Sequence, residues 1–119
     1  SGGGIAAEKV QVSKLLLDGE SKRVFIGDHL LQMGPTEFNL LEFFMTHPER
    51  AYTRGQLLDQ VWGANVYVEE RTVDVHIGRL RRALNTRNAQ DPIRTVRASG
   101  YAFDETYIAP PQALPRSKA

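Results

Sequence analysis

The sequence predicts an α+β domain made of an N-terminal antiparallel sheet, three helices and a C-terminal β-hairpin. Three observations predict this architecture. Short apolar runs fill residues 9–32, three stretches between residues 34 and 84 have apolar residues at helical spacing, and two alternating runs flank residues 98–100. The 119 residues are enough for one domain with a modest core. We assign that domain to residues 9–107.

The N-terminal segment predicts three or four short strands. Its apolar runs are only a few residues long, and residues 18–21 and 27–28 separate them with Gly and Asp. These residue types tolerate the positive φ of tight hairpin turns. A small antiparallel meander is therefore expected before the first helix.

The first two helices have clear start and stop residues. The first begins at Gly34-Pro35 and ends before Pro48, because proline suits the first helical position and disfavours helix in the residue preceding it. Thr53 and Gln56 match a capping box at the start of the second helix, which ends at Gly63. Three helices with a fairly long connection between the second and third indicate a helix-turn-helix variant.

Residues 69–84 predict a helix with two chemically different faces. One face is an apolar stripe that must pack on a core, formed by Val73, Ile77, Leu80 and Leu84. The other face is polar and cationic and consists of Arg71, Thr72, Val75, Gly78, Arg79 and Arg82, with His76 at its edge. A guanidinium group matches phosphate oxygens and the O6/N7 edge of guanine. This helix is expected to enter a DNA major groove; the alternative is an exposed cationic helix without a partner.

The positive charge is concentrated in one segment, although the formal net charge is only +1. Residues 1–70 hold six Lys or Arg against ten Asp or Glu, and residues 71–97 hold seven Arg against two Asp. Residues 98–119 hold two of each sign. A local excess of this kind attracts polyanions.

Several classes of protein are disfavoured by composition. The sequence has no cysteine, which excludes disulfides and thiolate metal sites and favours a cytoplasmic location. No apolar run approaches the ~20 residues of a membrane span, so no membrane partner is expected. No secretory signal follows the SGGG start.

Four motifs resemble one known family. They are GPTEF with the following LL, RxQLLxxVWG, RTVDVHI with RLR, and VRxxGY, within residues 34–41, 54–63, 71–81 and 96–101. Together they resemble the winged-helix effector domains of OmpR/PhoB response regulators over roughly residues 9–107. The runs MGPTEF, FFMTHPER and NVYVEERTVDVHI are similar to the subgroup that regulates the response to phosphate starvation.

The resemblance implies a winged helix-turn-helix that binds specific double-stranded DNA and regulates transcription. The third helix would lie in the major groove and the hairpin wing in the adjacent minor groove, with two copies head to tail on direct repeats. The loop after the second helix would contact an RNA polymerase sigma factor, and the residues assigned to this contact are Gly63, Val66, Val68 and Glu70.

The resemblance also implies parts beyond this domain. A receiver domain with a phosphoacceptor aspartate would precede it, and a sensor kinase would act on that receiver domain. Residues 1–8 are then a cloning remnant and the end of an interdomain linker. The proline-rich residues 108–119 lack periodicity and are expected to be a disordered tail.

Individual roles follow from the helix faces and from the resemblance. The resemblance implies that Arg79 reads bases, and Thr72 and Val75 share its face, where they can contact thymine methyl groups. The residues expected to bind backbone phosphates are Arg71, His76, Arg81, Arg82, Trp62, Thr95 and Tyr101. Arg97, beside the turn of the hairpin, is expected to enter the minor groove. Asp74 is expected to form an intramolecular ion pair, because phosphates would repel it.

A few residues depart from the family pattern or have two interpretations. Gly78 stands where the family often carries a basic residue, and Gly55 stands where it usually has an acidic one. Ala98 and Ala102 leave small side chains in the wing. These departures bear on site preference and on the sigma contact. Trp62 could pack in the core or present its indole N–H to a phosphate.

Other functions have less support. The three histidines are scattered, and no HExxH, GxSxG, Walker or dinucleotide motif occurs, so we expect no enzyme, metal or cofactor. The main alternative is a winged-helix adaptor whose third helix docks on an acidic protein partner. Salt dependence and preference for a specific duplex distinguish DNA binding from this adaptor. RNA is a weaker alternative, because no aromatic stacking platform is evident.

Overall fold

The computed structural model of the protein describes residues 9–63, 67–84 and 91–104. The elements are β1 (Lys9–Val12), β2 (Leu15–Asp18), β3 (Arg23–Ile26), β4 (His29–Leu31), α1 (Pro35–Thr46), α2 (Arg54–Leu57) with a π-helical continuation (Leu58–Trp62), α3 (Arg71–Leu84), β5 (Ile93–Val96) and β6 (Gly100–Phe103). The predicted α+β architecture with a sheet, three helices and a hairpin is confirmed. The linker predicted at residues 1–8 and the tail predicted at residues 108–119 lie outside the described residues. No helix within the described ranges is both long enough and apolar enough to span a membrane.

The first four strands form one antiparallel sheet in sequential order. Leu15, Leu17, Val24 and Ile26 alternate along β2 and β3 and are buried in the core. The sequence left open whether there are three or four strands. A turn at Ser13-Lys14, where Ser13 has a φ of 58°, separates β1 from β2 and gives four.

Helix α1 has its predicted start, its predicted end and one unexpected buried residue. Pro35 occupies the first turn, and the helix ends at Thr46. The apolar residues at helical spacing are buried, namely Phe38, Leu40, Leu41, Phe44 and Met45. Glu37, an acid in the first turn, is also buried, with 5% of its surface exposed.

The second helix changes its winding along its length. The predicted capping box is present, with the Gln56 N–H donating to Thr53 Oγ1 at 3.1 Å and the Thr53 N–H donating to Gln56 Oε1 at 2.8 Å. After Leu57 the winding becomes π-helical and closes with a hydrogen bond from the Gly63 N–H to the Leu58 carbonyl at 2.9 Å. A short π-helical turn inside a helix is uncommon and is frequent at functional sites.

Helix α3 packs on the core through the predicted stripe. Val73, Ile77, Leu80 and Leu84 are each at most 1% exposed. Full burial of four aliphatic side chains contributes about 6–12 kcal/mol before the entropy cost of folding is subtracted. This contribution holds the opposite, cationic face of α3 toward solvent.

Backbone hydrogen bonds attach the β5–β6 hairpin to the segment between α1 and α2. Tyr52 and Tyr101 exchange two N–H to carbonyl hydrogen bonds of 2.8 and 2.9 Å, and the Glu49 N–H donates to the Phe103 carbonyl at 2.8 Å. Gly100 allows this close approach. Its φ is 102°, and a Cβ at this position would lie 1.9 Å from the Tyr52 carbonyl oxygen.

We expect Gly100→Ala to destabilise the domain by at least about 2 kcal/mol, because it combines a left-handed backbone with a steric clash at the bridge. Gly78→Ala is the matched control, since a Cβ there has no neighbour within 4 Å. That substitution should stabilise the domain by about 1 kcal/mol through helix propensity. Chemical denaturation measures both effects, and equal effects of the two substitutions would contradict the proposed close approach.

Candidate nucleic-acid interface

Helix α3 presents a continuous row of polar and cationic side chains to solvent. Val75, Arg79 and Arg82 are exposed and follow one another at helical spacing. Thr72 is half-buried on the same side, one turn before Val75. Arg79 and Arg82 form no hydrogen bond or ion pair with the described part of the chain. No described residue therefore competes with a ligand for their guanidinium groups.

Arg71 begins the same helix and is mostly exposed. Its side chain is 80% exposed, and its Nε lies 3.8 Å from Glu69 Oε1. An ion pair this exposed contributes little to stability and exchanges readily for another anion. Arg71 is therefore as accessible to a phosphate group as Arg79 and Arg82 are.

The hairpin places another arginine beside α2 and the start of α3. Arg97 lies in the turn between β5 and β6 and is exposed. The turn borders a cleft of about 410 Å³ that also reaches Arg54 at the start of α2 and Asp74 on α3. Within the described ranges, no protein group pairs with the Arg97 guanidinium.

A hydrogen-bond network fixes the wing relative to α3. The Tyr101 hydroxyl donates to Asp74 Oδ1 at 2.6 Å, and Arg54 Nη1 lies 3.3 Å from Asp74 Oδ2. The intramolecular ion pair predicted for Asp74 is confirmed by the contact with Arg54. Burial, together with the hydrogen bond and charge of Asp74, raises the pKa of Tyr101 above its usual value.

Arg81 joins the same network from the other side of the Tyr101 ring. Its Nη2 donates to the Ile93 carbonyl at 2.8 Å and to Thr95 Oγ1 at 2.9 Å, and its Nε lies 2.8 Å from Asp91 Oδ2. Its Cζ is also 5.5 Å from the centre of the Tyr101 ring. Arg81 thus ties α3 to β5 and to the segment before it.

Three predicted phosphate ligands are therefore already engaged within the protein. The Tyr101 hydroxyl has one proton and gives it to Asp74, so it cannot also donate to a phosphate in this conformation. Arg81 uses Nη2 in hydrogen bonds to two protein oxygens, and its guanidinium forms an ion pair with Asp91. Thr95 accepts from Arg81 and keeps its own O–H for a further acceptor. Their roles as phosphate ligands remain predictions.

His76 lies at the edge of the cationic face and contacts α1 and the second helix. Its Nδ1 is 2.6 Å from Glu37 Oε2, and the side chains are 19% and 7% exposed, respectively. The ring centre of Trp62 lies 5.6 Å from that of His76. Trp62 is half-buried and packs against the core, as one of its two interpretations required.

The segment expected to contact a sigma factor is partly described. Gly63 ends the π-helical turn, and Val68 and Glu70 are exposed just before α3. Tyr67 is 95% exposed beside them, although we did not assign it to this contact. Val66 lies outside the described residues.

Two residues of this site were missed by sequence reasoning. Neither Arg54 nor Glu37 was assigned a role in the site from the sequence. The only signal at Glu37 is Gly34, a weaker cap than Ser, Thr or Asp, whose missing side chain makes room for the carboxylate. The described residues include no group of three or more His, Cys, Asp or Glu placed to hold a metal ion.

An exposed cationic helix beside a fixed hairpin, both carried by a three-helix core, defines a winged helix-turn-helix domain. Comparison with known proteins agrees with this class. A family model described as "Transcriptional regulatory protein, C terminal" matches residues 28–103. The chain therefore belongs to this family, the C-terminal domains of OmpR/PhoB regulators, as its motifs predicted.

One relative shows which members of the family the chain resembles. The phosphate regulon transcriptional regulatory protein PhoB of Pseudomonas aeruginosa is 60% identical over 103 residues, which cover 87% of this chain and 44% of that protein. The chain thus spans less than half the length of this relative.

Two solved structures share the fold with DNA bound. The response regulator AdeR DNA-binding domain in complex with an intercistronic region has a TM-score of 0.72 and 30% identity, covering 79% of this chain and 97% of that one. The Klebsiella pneumoniae RstA DNA-binding domain in complex with the RstA box has a TM-score of 0.71 and 31% identity, covering 82% and 98%.

We expect Tyr101→Phe to destabilise the domain by about 1 kcal/mol near neutral pH, because Asp74 loses a hydrogen-bond donor. The raised pKa of Tyr101 means that the folded state keeps the phenol proton longer than the unfolded state does. The stability of the folded domain should therefore fall as pH rises past the ordinary tyrosine pKa of 10.0 and through the higher pKa of Tyr101 in the folded state.

The measurement is urea denaturation of the native protein and of Tyr101→Phe at neutral and alkaline pH. The difference between them should shrink at high pH. A constant difference would contradict the role given to the Tyr101 proton.

Proposed function

We propose that this domain binds specific double-stranded DNA and regulates transcription as the effector domain of a two-component response regulator. The observation that carries the proposal is the row of exposed arginines on α3, with Arg97 at the tip of a wing fixed to the same helix. A base-reading helix needs cations that are not neutralised by carboxylates, and among the described residues no carboxylate pairs with Arg79 or Arg82. The DNA-bound AdeR and RstA domains of the same fold support the proposal.

In this proposal α3 and the wing contact different grooves of the DNA. Arg79 reads a guanine in the major groove, with Thr72 and Val75 beside it for thymine methyl groups. Arg97 enters the minor groove, where a narrow A·T-rich sequence concentrates negative potential. The phosphate ligands are those predicted from sequence, of which Arg71 and Arg82 are the most accessible.

The wider setting is proposed from the relatives. Similarity to phosphate regulon regulators favours a role in the response to phosphate supply, with two copies head to tail on direct repeats. The regulator would have a receiver domain that a sensor kinase phosphorylates. It would act in the cytoplasm, where chromosomal DNA is accessible, and its domain would carry out no catalysis.

We expect Arg79→Ala to lower discrimination at one or two base pairs by about 1–3 kcal/mol, because a bidentate arginine–guanine contact is lost. Arg82→Ala is the matched control on the same helix face. It should weaken binding to all duplexes about equally. The slope of log affinity against log salt concentration should fall by about 1, because one phosphate contact is lost. Titrations of selected and mismatched duplexes at several salt concentrations measure both effects.

The same titrations test the function itself. A selected duplex should be bound at least ~10³-fold more tightly than random DNA. Equal affinity for any polyanion would contradict specific DNA reading and would favour the adaptor that docks on an acidic protein. Identical behaviour of the two arginine variants would contradict the division of roles.

We also propose that the segment from Gly63 to Glu70 contacts an RNA polymerase sigma factor. Val68, at 37% exposure, and the exposed Glu70 support this, because they lie beside α3 without belonging to its arginine row. Val66, assigned to the same contact from sequence, remains part of the proposal. The exposed Tyr67 adds an aromatic ring of the kind enriched at protein interfaces.

We expect Glu70→Lys to reduce activated transcription at least about tenfold while duplex affinity is retained, because reversing a charge in a complementary interface costs more than about 1.4 kcal/mol. Asp28→Lys, an equal charge change in the exposed β3–β4 turn, is the control and should leave activation intact. Transcription with purified polymerase holoenzyme and duplex titration measure the two properties separately. Loss of activation in both variants, or in neither, would contradict the sigma contact.

A further inference from the structure

We propose that Glu37 is a positioning residue that makes DNA binding by this domain take up a proton at His76. The proposal rests on the proposed DNA-binding function and adds a proton to it. In the free protein the imidazole donates its Nδ1 proton to the buried carboxylate. When a backbone phosphate approaches Nε2, a proton from solvent joins that nitrogen and is shared with the phosphate oxygen.

The first support is the burial of the carboxylate. Glu37 Oε2 lies 2.6 Å from His76 Nδ1, and only 7% of the Glu37 side chain is exposed. A carboxylate removed from water is costly unless it is paired and hydrogen-bonded. The imidazole is the side chain that supplies this partner, so the contact orients the ring and places a proton on Nδ1.

The second support is the space made for Glu37 at the start of α1. A Cβ at Gly34 would lie 2.6 Å from Glu37 Oε1, so the side chain folds back over a position that has no side chain of its own. The N-terminal turn of a helix also favours a negative group. The first turn of α1 therefore has both the space and the favourable field for this carboxylate.

The third support is the free side of the imidazole. The Glu37 contact is the one hydrogen bond that His76 makes with the described residues. The His76 side chain is 19% exposed, and Nε2 makes no hydrogen bond with the described residues. It belongs to the helix that carries the exposed arginine row, where a duplex would bring its phosphates.

The charges that face His76 favour a second proton more strongly once a phosphate arrives. From α1 the facing charged group is the Glu37 carboxylate, and the second helix contributes the Trp62 ring, which carries no charge. On α3 itself, Arg79 lies three residues later and Thr72 four residues earlier, so the nearest charge along the helix is positive. A phosphate beyond Nε2 adds a second negative group and completes a carboxylate–imidazolium–phosphate bridge.

The sign of the effect follows from the proton count. The complex holds one more proton than the free partners, so the affinity gain is complete at low pH and disappears as pH rises. Histidine titrates near neutrality, so affinity should fall between about pH 6 and about pH 8, by at most about tenfold per pH unit. The salt slope should be steeper by about 0.9 at the lower pH, because one more phosphate is neutralised.

The experiment titrates a fluorescent duplex, recovered by selection from a random pool, against the native chain and three variants over this pH range at fixed salt. His76→Gln and Glu37→Gln should both lose the pH dependence, because the first lacks the imidazole and the second lacks the charge behind it. His29→Gln, on β4 in the N-terminal sheet, removes a histidine outside the site and should keep it. Circular dichroism confirms that each variant is folded.

A second measurement does not depend on any variant. Nitrogen NMR of His76 in the native protein should show a proton on Nδ1 without DNA. With the duplex bound, protons should be present on both ring nitrogens at a pH where the free ring has one. This readout tests the proposal even if Glu37→Gln does not fold.

The outcomes separate this inference from the function on which it rests. Specific binding that does not vary with pH, or a pH dependence that persists in His76→Gln or Glu37→Gln, would overturn the proton linkage and leave DNA binding intact. A His76 ring that already carries protons on both nitrogens in the free protein at the pH of that comparison would also overturn it. Absence of any preferred duplex at every pH would instead overturn the proposed function.

Discussion

Tyr101 joins the wing to the rest of the domain in two ways, and the geometry of the candidate interface depends on both. Its backbone exchanges two hydrogen bonds with Tyr52, and its hydroxyl donates to Asp74 on α3. A hairpin of two four-residue strands is not stable alone in water. These contacts hold the wing at a set position beside α3, which the proposed joint contact of Arg97 and Arg79 with one duplex requires.

The arginines of this region form two groups. Some pair with a carboxylate of the protein, and others have no such partner among the described residues. Arg81 meets Asp91 and the β5 backbone, and Arg54 meets Asp74. Arg79, Arg82 and Arg97 meet no described acid. The same residue type therefore stiffens the scaffold in one place and offers an unneutralised charge in another.

His76 stands between these two groups. Nδ1 contacts the buried Glu37 carboxylate of α1, and His76 belongs to the helix that carries the exposed arginines. In the inference drawn above, this carboxylate determines which histidine nitrogen carries the proton. The core and the interface are thus connected through a single imidazole.

The sequence by itself determined the elements and the faces of this protein. Helix starts, turn residues and the stripe of Val73, Ile77, Leu80 and Leu84 depend on spacing along the chain, and local spacing is visible in one sequence. The resemblance of its motifs also identified the family. The exposed positions of Arg79 and Arg97 follow from the same spacing.

Only the tertiary structure decided how these side chains are used. Glu37 meets His76 across 39 positions, and Tyr101 meets Asp74 across 27. Such pairs depend on how closely and at what angle helices and wing pack, which no local pattern encodes. For this reason a residue expected to bind phosphate, Tyr101, is found donating its proton within the protein, and Glu37, which had no role assigned from the sequence, is found buried against His76.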